Sequence, residues 1–253
     1  MGWLVARAAH GAVSERVVLV TGSTSGIGEA TARRFAARGD RVVFNSARSV
    51  DVGARLASAT PGSCYVRADI SDDEECEGLI RTVLDRFGRL DVLVNNAGVT
   101  RVINHRDLVA ANIDVWREIF EVNVFGTWRV SVCAMDALRE SRGSIVNVTS
   151  VAGLRPTGSS IPYAASKAAL NHVTALLAKV VGPEVRVNAV APGLIDTPWT
   201  ADWGAVRAAV ESRAPLGRSG RPDDVAEVIV DLAGSSYVTG QVVVVDGGLT
   251  LAT

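Results

Sequence analysis

Lysine is nearly missing from this chain. Of the 26 basic residues among 253, all but Lys167 and Lys179 are arginine, which makes 24 (26 minus 2). The 27 acidic residues leave a formal charge of -1, so no excess of either sign calls for nucleic acid. Long hydrophobic runs are also lacking. Although 48% of the residues are hydrophobic, the apolar stretches are short, as in Val17-Val18-Leu19-Val20, and none nears the roughly 20 residues that span a bilayer. No membrane partner is therefore expected. Cysteine occurs three times (Cys64, Cys76, Cys133), an odd and widely spaced set without C-x-x-C, which suits free thiols in a reducing compartment such as the cytoplasm. His10, His105 and His172 are scattered without H-E-x-x-H or other ligand spacing, so no metal is expected.

Domain punctuation is absent as well. No Pro/Ser-rich linker, charge block or long-period repeat divides the chain, and one domain covering 15–253 is expected. Residues 1–14 carry a brief apolar patch, Trp3-Leu4-Val5-Ala6, with its arginine after the patch instead of before it. They are read as an untargeted, flexible N-terminal extension.

From Arg16 onward, short β-branched runs alternate with stretches of helical period, the pattern of βαβ units. Strands are predicted at 16–21, 41–46, 63–67, 92–95, 144–149, 185–190 and 241–245. Helices are predicted near 27–38, 72–87, 114–138, 163–181 and 223–232. Several strands are apolar on consecutive residues, as strands covered on both faces must be. The predicted fold class is α/β, a Rossmann-type doubly wound parallel sheet of about seven strands flanked by helices on both faces. Ligands of such sheets bind beyond the carboxyl ends of the strands, where the strand order reverses.

At that end of the first strand stands Thr21-Gly22-Ser23-Thr24-Ser25-Gly26-Ile27-Gly28. Its glycines permit close approach of a phosphate, and the following helix N-terminus offers free N–H groups and positive partial charge. The spacing departs from G-x-G-x-x-G, and a structural loop is the alternative for a glycine-rich turn taken alone. Further along, Tyr163 and Lys167 lie four apart among good helix formers, so they share a helix face. A tyrosine is a suitable proton donor to a carbonyl that receives hydride. An ammonium at about 4 Å and an effective dielectric of 20 would pull the phenol down by about three pKa units as an upper bound. An isolated Y-x-x-x-K is most often plain helix surface. Ser150, at the end of the preceding strand, adds a hydroxyl aimed at the same region, and one of only two lysines occupies this position.

These motifs resemble the short-chain dehydrogenase/reductase family, single-domain and 3-oxoacyl-carrier-protein-reductase-like, over about Arg16 to Leu249. The resemblance implies Ser150, Tyr163, Lys167 and Asn123 as the catalytic set, with Asn123 holding a water that links Lys167 to solvent. It implies dinucleotide contacts from Gly22, Thr24, Ser25, Gly26, Ile27 and Gly28. Further contacts are implied from Asp69 and Ile70, from Asn96, Ala97 and Gly98 of the N-N-A-G stretch, from Tyr163 and Lys167, and from Pro192, Gly193, Ile195 and Thr197. Asp69 also reads as an ordinary turn or helix-cap residue, and Pro192-Gly193 as a plain turn. Thr149 replaces the serine that many members carry before Ser150. A variable substrate lid is implied near 194–220. Trp199 and Trp203 lie there and suggest an apolar or ring-bearing substrate, although packing of a lid helix explains them equally.

Ser46 ends the second strand where an acidic residue would bind a ribose 2'-OH, and Arg48 follows two residues later, suited to a 2'-phosphate. NADP(H) is thus expected before NAD(H), with a solvated loop arginine as the alternative for Arg48. The expected partner is a small carbonyl or alcohol: a 3-oxoacyl thioester, a steroid, a sugar or a small ketone. A homotetramer, or else a dimer, follows from the resemblance. A non-catalytic dinucleotide-sensing protein of this fold is the rival reading, and it would have no need of Ser150, Tyr163 and Lys167 together.

Overall fold

The computed structural model describes residues 16–252, and the expected N-terminal extension lies outside them. Runs of valine and isoleucine form the strands, because β-branched side chains pack well on a pleated surface. They are β1 (Val17–Val20), β2 (Arg41–Ser46), β3 (Cys64–Arg67), β4 (Val92–Asn95), β5 (Ser144–Val148), β6 (Arg186–Pro192) and β7 (Val242–Val245). All pair in parallel, in the order β3-β2-β1-β4-β5-β6-β7. The chain steps outward from β1 to β3 and then returns to place β4 on the other side of β1. The crevice between β1 and β4 is therefore the switch point at which doubly wound sheets bind ligands.

Eight helices lie between the strands: α1 (Gly26–Ala37), α2 (Val50–Ser58), α3 (Asp73–Phe87), α4 (Ile113–Phe120), α5 (Thr127–Ser141), α6 (Ile161–Val181), α7 (Gly204–Arg213) and α8 (Pro222–Gly234). Alternation along each strand divides the core in two. Val17, Leu19, Leu93, Ile145 and Val187 face α3, α5 and α6, where Leu79, Val83, Val130 and Leu138 meet them. Val18, Val20, Phe44, Val94 and Val146 face α1 and α8, where Phe35, Val225 and Ile229 meet them. Phe35 and Phe44 are fully buried, and burial of such a side chain stabilises by about 1.5–3 kcal/mol.

The helix predicted at 114–138 runs unbroken from Ile113 to Ser141, but α4 and α5 join through a π-helical turn, Glu121–Gly126, which holds Asn123. Two helices, α2 and α7, were not predicted. In α2, Val50-Asp51-Val52 alternates like a strand and Gly53 is a poor helix former. The glycine is required all the same, since a Cβ there would run into the ring of Tyr65.

Candidate functional site

The turn from Thr21 to Gly28 is held by short polar side chains that bond to backbone. Gly22 has φ +61°, and a Cβ on it would sit 2.8 Å from the Ala97 Cα, so only glycine lets the β1 and β4 loops touch. A Cβ on Gly28 would strike the Asn96 amide and the Gly22 carbonyl. Thr21 Oγ1 accepts from the N–H groups of Asn96 (3.0 Å) and Ala97 (3.1 Å), while Asn96 Nδ2 donates to the Thr21 (3.0 Å) and Gly22 (2.9 Å) carbonyls. Asn96 is thereby a buttress of the turn. Ser25 caps α1 without a side-chain bond to its first turn and is exposed, and Thr24 is half-buried beside it. The first turn of α1 thus receives no bond from the Ser25 side chain, at a turn packed too tightly for side chains at 22 and 28, and such an uncapped helix start suits a phosphate.

Sequence reasoning overlooked the organiser of this turn, Asn45. Its Oδ1 accepts from Gly22 N (3.4 Å), and its Nδ2 donates to the carbonyls of Val66 (3.2 Å) and Ala68 (3.1 Å). Its backbone N–H donates to Ser23 Oγ at 2.9 Å. One buried amide in the otherwise apolar Val42-Val43-Phe44 run was the available signal. Next along β2, the Ser46 hydroxyl meets the Tyr65 hydroxyl at 2.9 Å. Arg48 is exposed just beyond, and Arg67 Nε donates to the Ala47 carbonyl at 3.1 Å. Asp69 Oδ1 accepts from Ser71 N (3.0 Å) and Ser71 Oγ (2.7 Å), a turn-forming arrangement. Those bonds, with Arg48 and Arg67 nearby, hold its carboxyl below the usual range despite partial burial. The Ile70 side chain belongs to the core, leaving only its backbone toward the crevice.

On the other side of the switch point, Ser150, Tyr163, Lys167 and Asn123 converge. Ser150 precedes a 3₁₀ turn, Val151–Gly153, and its Oγ accepts from Ala152 N at 3.1 Å. A Cβ on Gly153 would lie 2.6 Å from the carbonyl carbon of Lys167, so this turn is pressed onto α6. Ser160 caps α6, accepting from Tyr163 N at 3.4 Å. The π turn brings in Asn123: its Oδ1 accepts from Val99 N (2.8 Å), and its Nδ2 donates to Val99 O and Ser166 Oγ (both 3.0 Å). Ser166 Oγ in turn donates to Tyr163 O at 2.7 Å. Beside this group, a Cβ on Gly98 would stand 3.2 Å from Asn123 Oδ1 and 3.6 Å from Lys167 Nζ.

The electrostatics correct one expectation. Lys167 Nζ donates to the Val148 carbonyl at 3.0 Å and lies 5.7 Å from the centre of the Tyr163 ring. Burial pushes the phenol up to about 12, partly offset by a hydrogen bond with the Ser150 side chain. Burial pushes the ammonium down to about 8. Desolvation outweighs attraction between the two in the free protein, because removal from water penalises the charged form of each.

Beyond β6, Gly193 packs onto Asp246, where a Cβ would lie 2.8 Å from the Asp246 Cβ. Pro192 ends the strand and Ile195 is buried. The Thr197 methyl closes on Gly26, at 3.2 Å from where a Cβ would be, so segment 194–220 touches the glycine turn. Thr200 Oγ1 donates to Ile195 O at 2.6 Å, and Arg207 bonds both Asp196 Oδ1 (2.8 Å) and Thr200 O (3.2 Å). Trp199 stands near-perpendicular to Tyr163, with ring centres 6.2 Å apart. The site is a continuous rim on the carboxyl ends of β1, β2, β4, β5 and β6.

Residues 22–250 match the family described as enoyl-(acyl carrier protein) reductase. The chain belongs to the short-chain dehydrogenase/reductase family. It is 55% identical to a Streptomyces violaceoruber protein assigned by name as ketoacyl reductase 2 of the granaticin polyketide synthase, covering 93% of this chain and 96% of that one. It is 41% identical to the 3-oxoacyl-[acyl-carrier-protein] reductase FabG of Thermotoga maritima, over 93% and 98% of the two chains. The ligand-free aldohexose dehydrogenase of Thermoplasma acidophilum has the same fold, with a TM-score of 0.87 for a Burkholderia xenovorans family member and 0.85 for the aldohexose enzyme itself. These two are 38% and 30% identical, each covering 94% of this chain and 99% and 95% of theirs. The protein is thus an oxidoreductase of a family that uses nicotinamide dinucleotides.

Proposed function

We propose that this protein is an NADP(H)-dependent ketone reductase acting on a 3-oxoacyl thioester or a related ketone. The observation that carries the reading is the convergence of Ser150 and Tyr163 in front of Lys167. Two hydroxyls are suited to one carbonyl oxygen, whereas reduction of an isolated carbon–carbon double bond would give them no oxygen to hold.

The dinucleotide, when bound, supplies the hydride. Gly22, Thr24, Ser25, Gly26, Ile27 and Gly28 would hold its pyrophosphate at the start of α1, backed by Asn96, Ala97 and Gly98. Asp69 and the Ile70 backbone would meet the adenine, while Pro192, Gly193, Ile195 and Thr197 would meet the nicotinamide end. Ser150 orients the substrate carbonyl, and Tyr163 gives its proton to the oxygen as the carbon is reduced. Lys167 sits behind the phenol, favours its return to charge balance, and reaches the ribose hydroxyls. Asn123 is a positioning residue, since its amide fixes the Val99 backbone and Ser166 and so the first turns of α6. Ser46, which offers no carboxylate, supports NADP(H), as does Arg48 exposed beside it.

Purified protein should oxidise NADPH with S-acetoacetyl-N-acetylcysteamine at a higher kcat/KM than NADH. Tyr163→Phe should lose about 100-fold or more in kcat. Equal use of NADH would overturn the cofactor assignment, and a fully active Tyr163→Phe would overturn the mechanism. Exposed Phe125, Trp128 and Val132, with Leu176 and Val180 on α6, support a self-associated form; a tetramer before a dimer rests on the family resemblance alone. Sedimentation as a monomer at micromolar concentration would contradict this. Among the described residues no helix is long and apolar enough to cross a membrane, and three free cysteines support a cytoplasmic setting.

A further inference from the structure

Segment 194–220 contains two tryptophans with different surroundings. Trp203 is partly buried at the cap of α7, and its carbonyl accepts from Arg207 N at 2.9 Å within the helix start. Packing explains it. Trp199 keeps 47% of its surface accessible, a large apolar face left uncovered. Its backbone is tied in place. It lies in the Pro198–Thr200 3₁₀ turn, whose ends are tied by Thr200 Oγ1 to Ile195 O at 2.6 Å, by Thr197 N to Thr200 Oγ1 at 3.2 Å and by Arg207 to Thr200 O at 3.2 Å.

The tied turn sets the exposed indole beside the phenol of Tyr163. The ring centres are 6.2 Å apart and the planes meet at 77°, forming a corner with two flat apolar walls. Behind the phenol the space is closed, since a Cβ on Gly158 would already lie 2.8 Å from the Ala152 Cβ and 3.7 Å from Tyr163 Cδ1. A carbonyl that meets the Tyr163 hydroxyl brings its neighbouring carbons against the indole. A planar ring fused to that carbonyl fills the corner without losing rotational freedom, whereas a linear acyl chain must freeze several bonds to do so.

We infer that Trp199 is a specificity-determining residue, and that the preferred substrate is a ketone carried on or fused to a flat apolar ring. This deepens the ketone-reductase reading and rests on it.

The test compares two probes with NADPH: 1-tetralone, a bicyclic ketone, and the linear S-acetoacetyl-N-acetylcysteamine. Trp199→Ala is expected to lower kcat/KM for 1-tetralone about tenfold and for the thioester by less than about threefold, with Trp199→Phe recovering most of the difference. Trp199→Leu keeps apolar bulk without a flat ring and carries the same expectation where the alanine variant does not fold. Equal losses on the two probes, or no loss on 1-tetralone, would overturn the inference. So would a wild-type protein that reduces the thioester but not 1-tetralone, and in that case the reductase reading survives. Turnover of neither probe sinks both.

Discussion

The glycine turn and the segment over the substrate side are both stitched by hydrogen bonds of similar length, yet the stitches differ in kind. In the turn, uncharged side chains (Thr21, Asn45, Asn96) bond to backbone groups, and Thr21 and Asn45 are buried. In 194–220 the Pro198–Thr200 turn is tied in the same neutral way through Thr200, but its links to α7 and to Ser219 run through charged, partly wet groups: Arg207 to Asp196 at 2.8 Å, with side-chain exposures of 26% and 43%, and Ser219 to Asp196 at 2.8 Å. Water competes for the second set and not for the first. A bond of given length therefore holds firmly in one region and weakly in the other. The phosphate cradle is the more firmly held of the two, and α7, tied through Arg207, is the part of the substrate side best able to give.

The largest effect should come from Asn45→Ala. Removal of the amide takes one donor each from the partly buried Val66 and the buried Ala68 carbonyls, and a loss of about 2–4 kcal/mol is expected in urea unfolding, with weaker NADPH binding. Next comes Lys167→Met, which probes the site between the two regions. With a folded value of about 8 against an ordinary 10.5, the unfolded chain binds more protons between those pH values. Wild-type stability should therefore rise from pH 8 toward 10. Above pH 10 the trend reverses, because Tyr163, raised to about 12, keeps its proton only when folded. The methionine variant should lack the rise and be more stable at pH 7 by on the order of 2–3 kcal/mol, at the cost of activity. A variant that is not stabilised at pH 7 would show that the ammonium imposes no such burden. The smallest effect is expected from Arg207→Ala: under about 1 kcal/mol in stability, with KM for the ketone altered more than kcat. Should Arg207→Ala cost as much as Asn45→Ala, the contrast between the two regions fails.

The seven strands were legible because each combines β-branched residues with turn signals at its ends, although the boundaries moved, as in the last β6 residue, Pro192 instead of Val190. Tyr163 and Lys167 were legible because helical spacing alone puts them on one face. Asn45 was not, since its partners Gly22, Val66 and Ala68 are more than twenty residues away and are all backbone atoms. The relation between Tyr163 and Lys167 was legible in position but not in charge. Their titration follows how deeply α6 is buried, which no local spacing encodes.

The π turn at Glu121–Gly126 bears on how this chain can change over time. A helix that carries one surplus residue in a single widened turn keeps the helices on either side in phase: Asn123 inside it turns toward α6, and Trp128 and Val132 face outward after it. Deleting one residue there would close the widened turn into an ordinary one without rotating the helix that follows, so the loss would fall on the placement of Asn123. The length of this stretch therefore matters to the site as much as the identity of its residues.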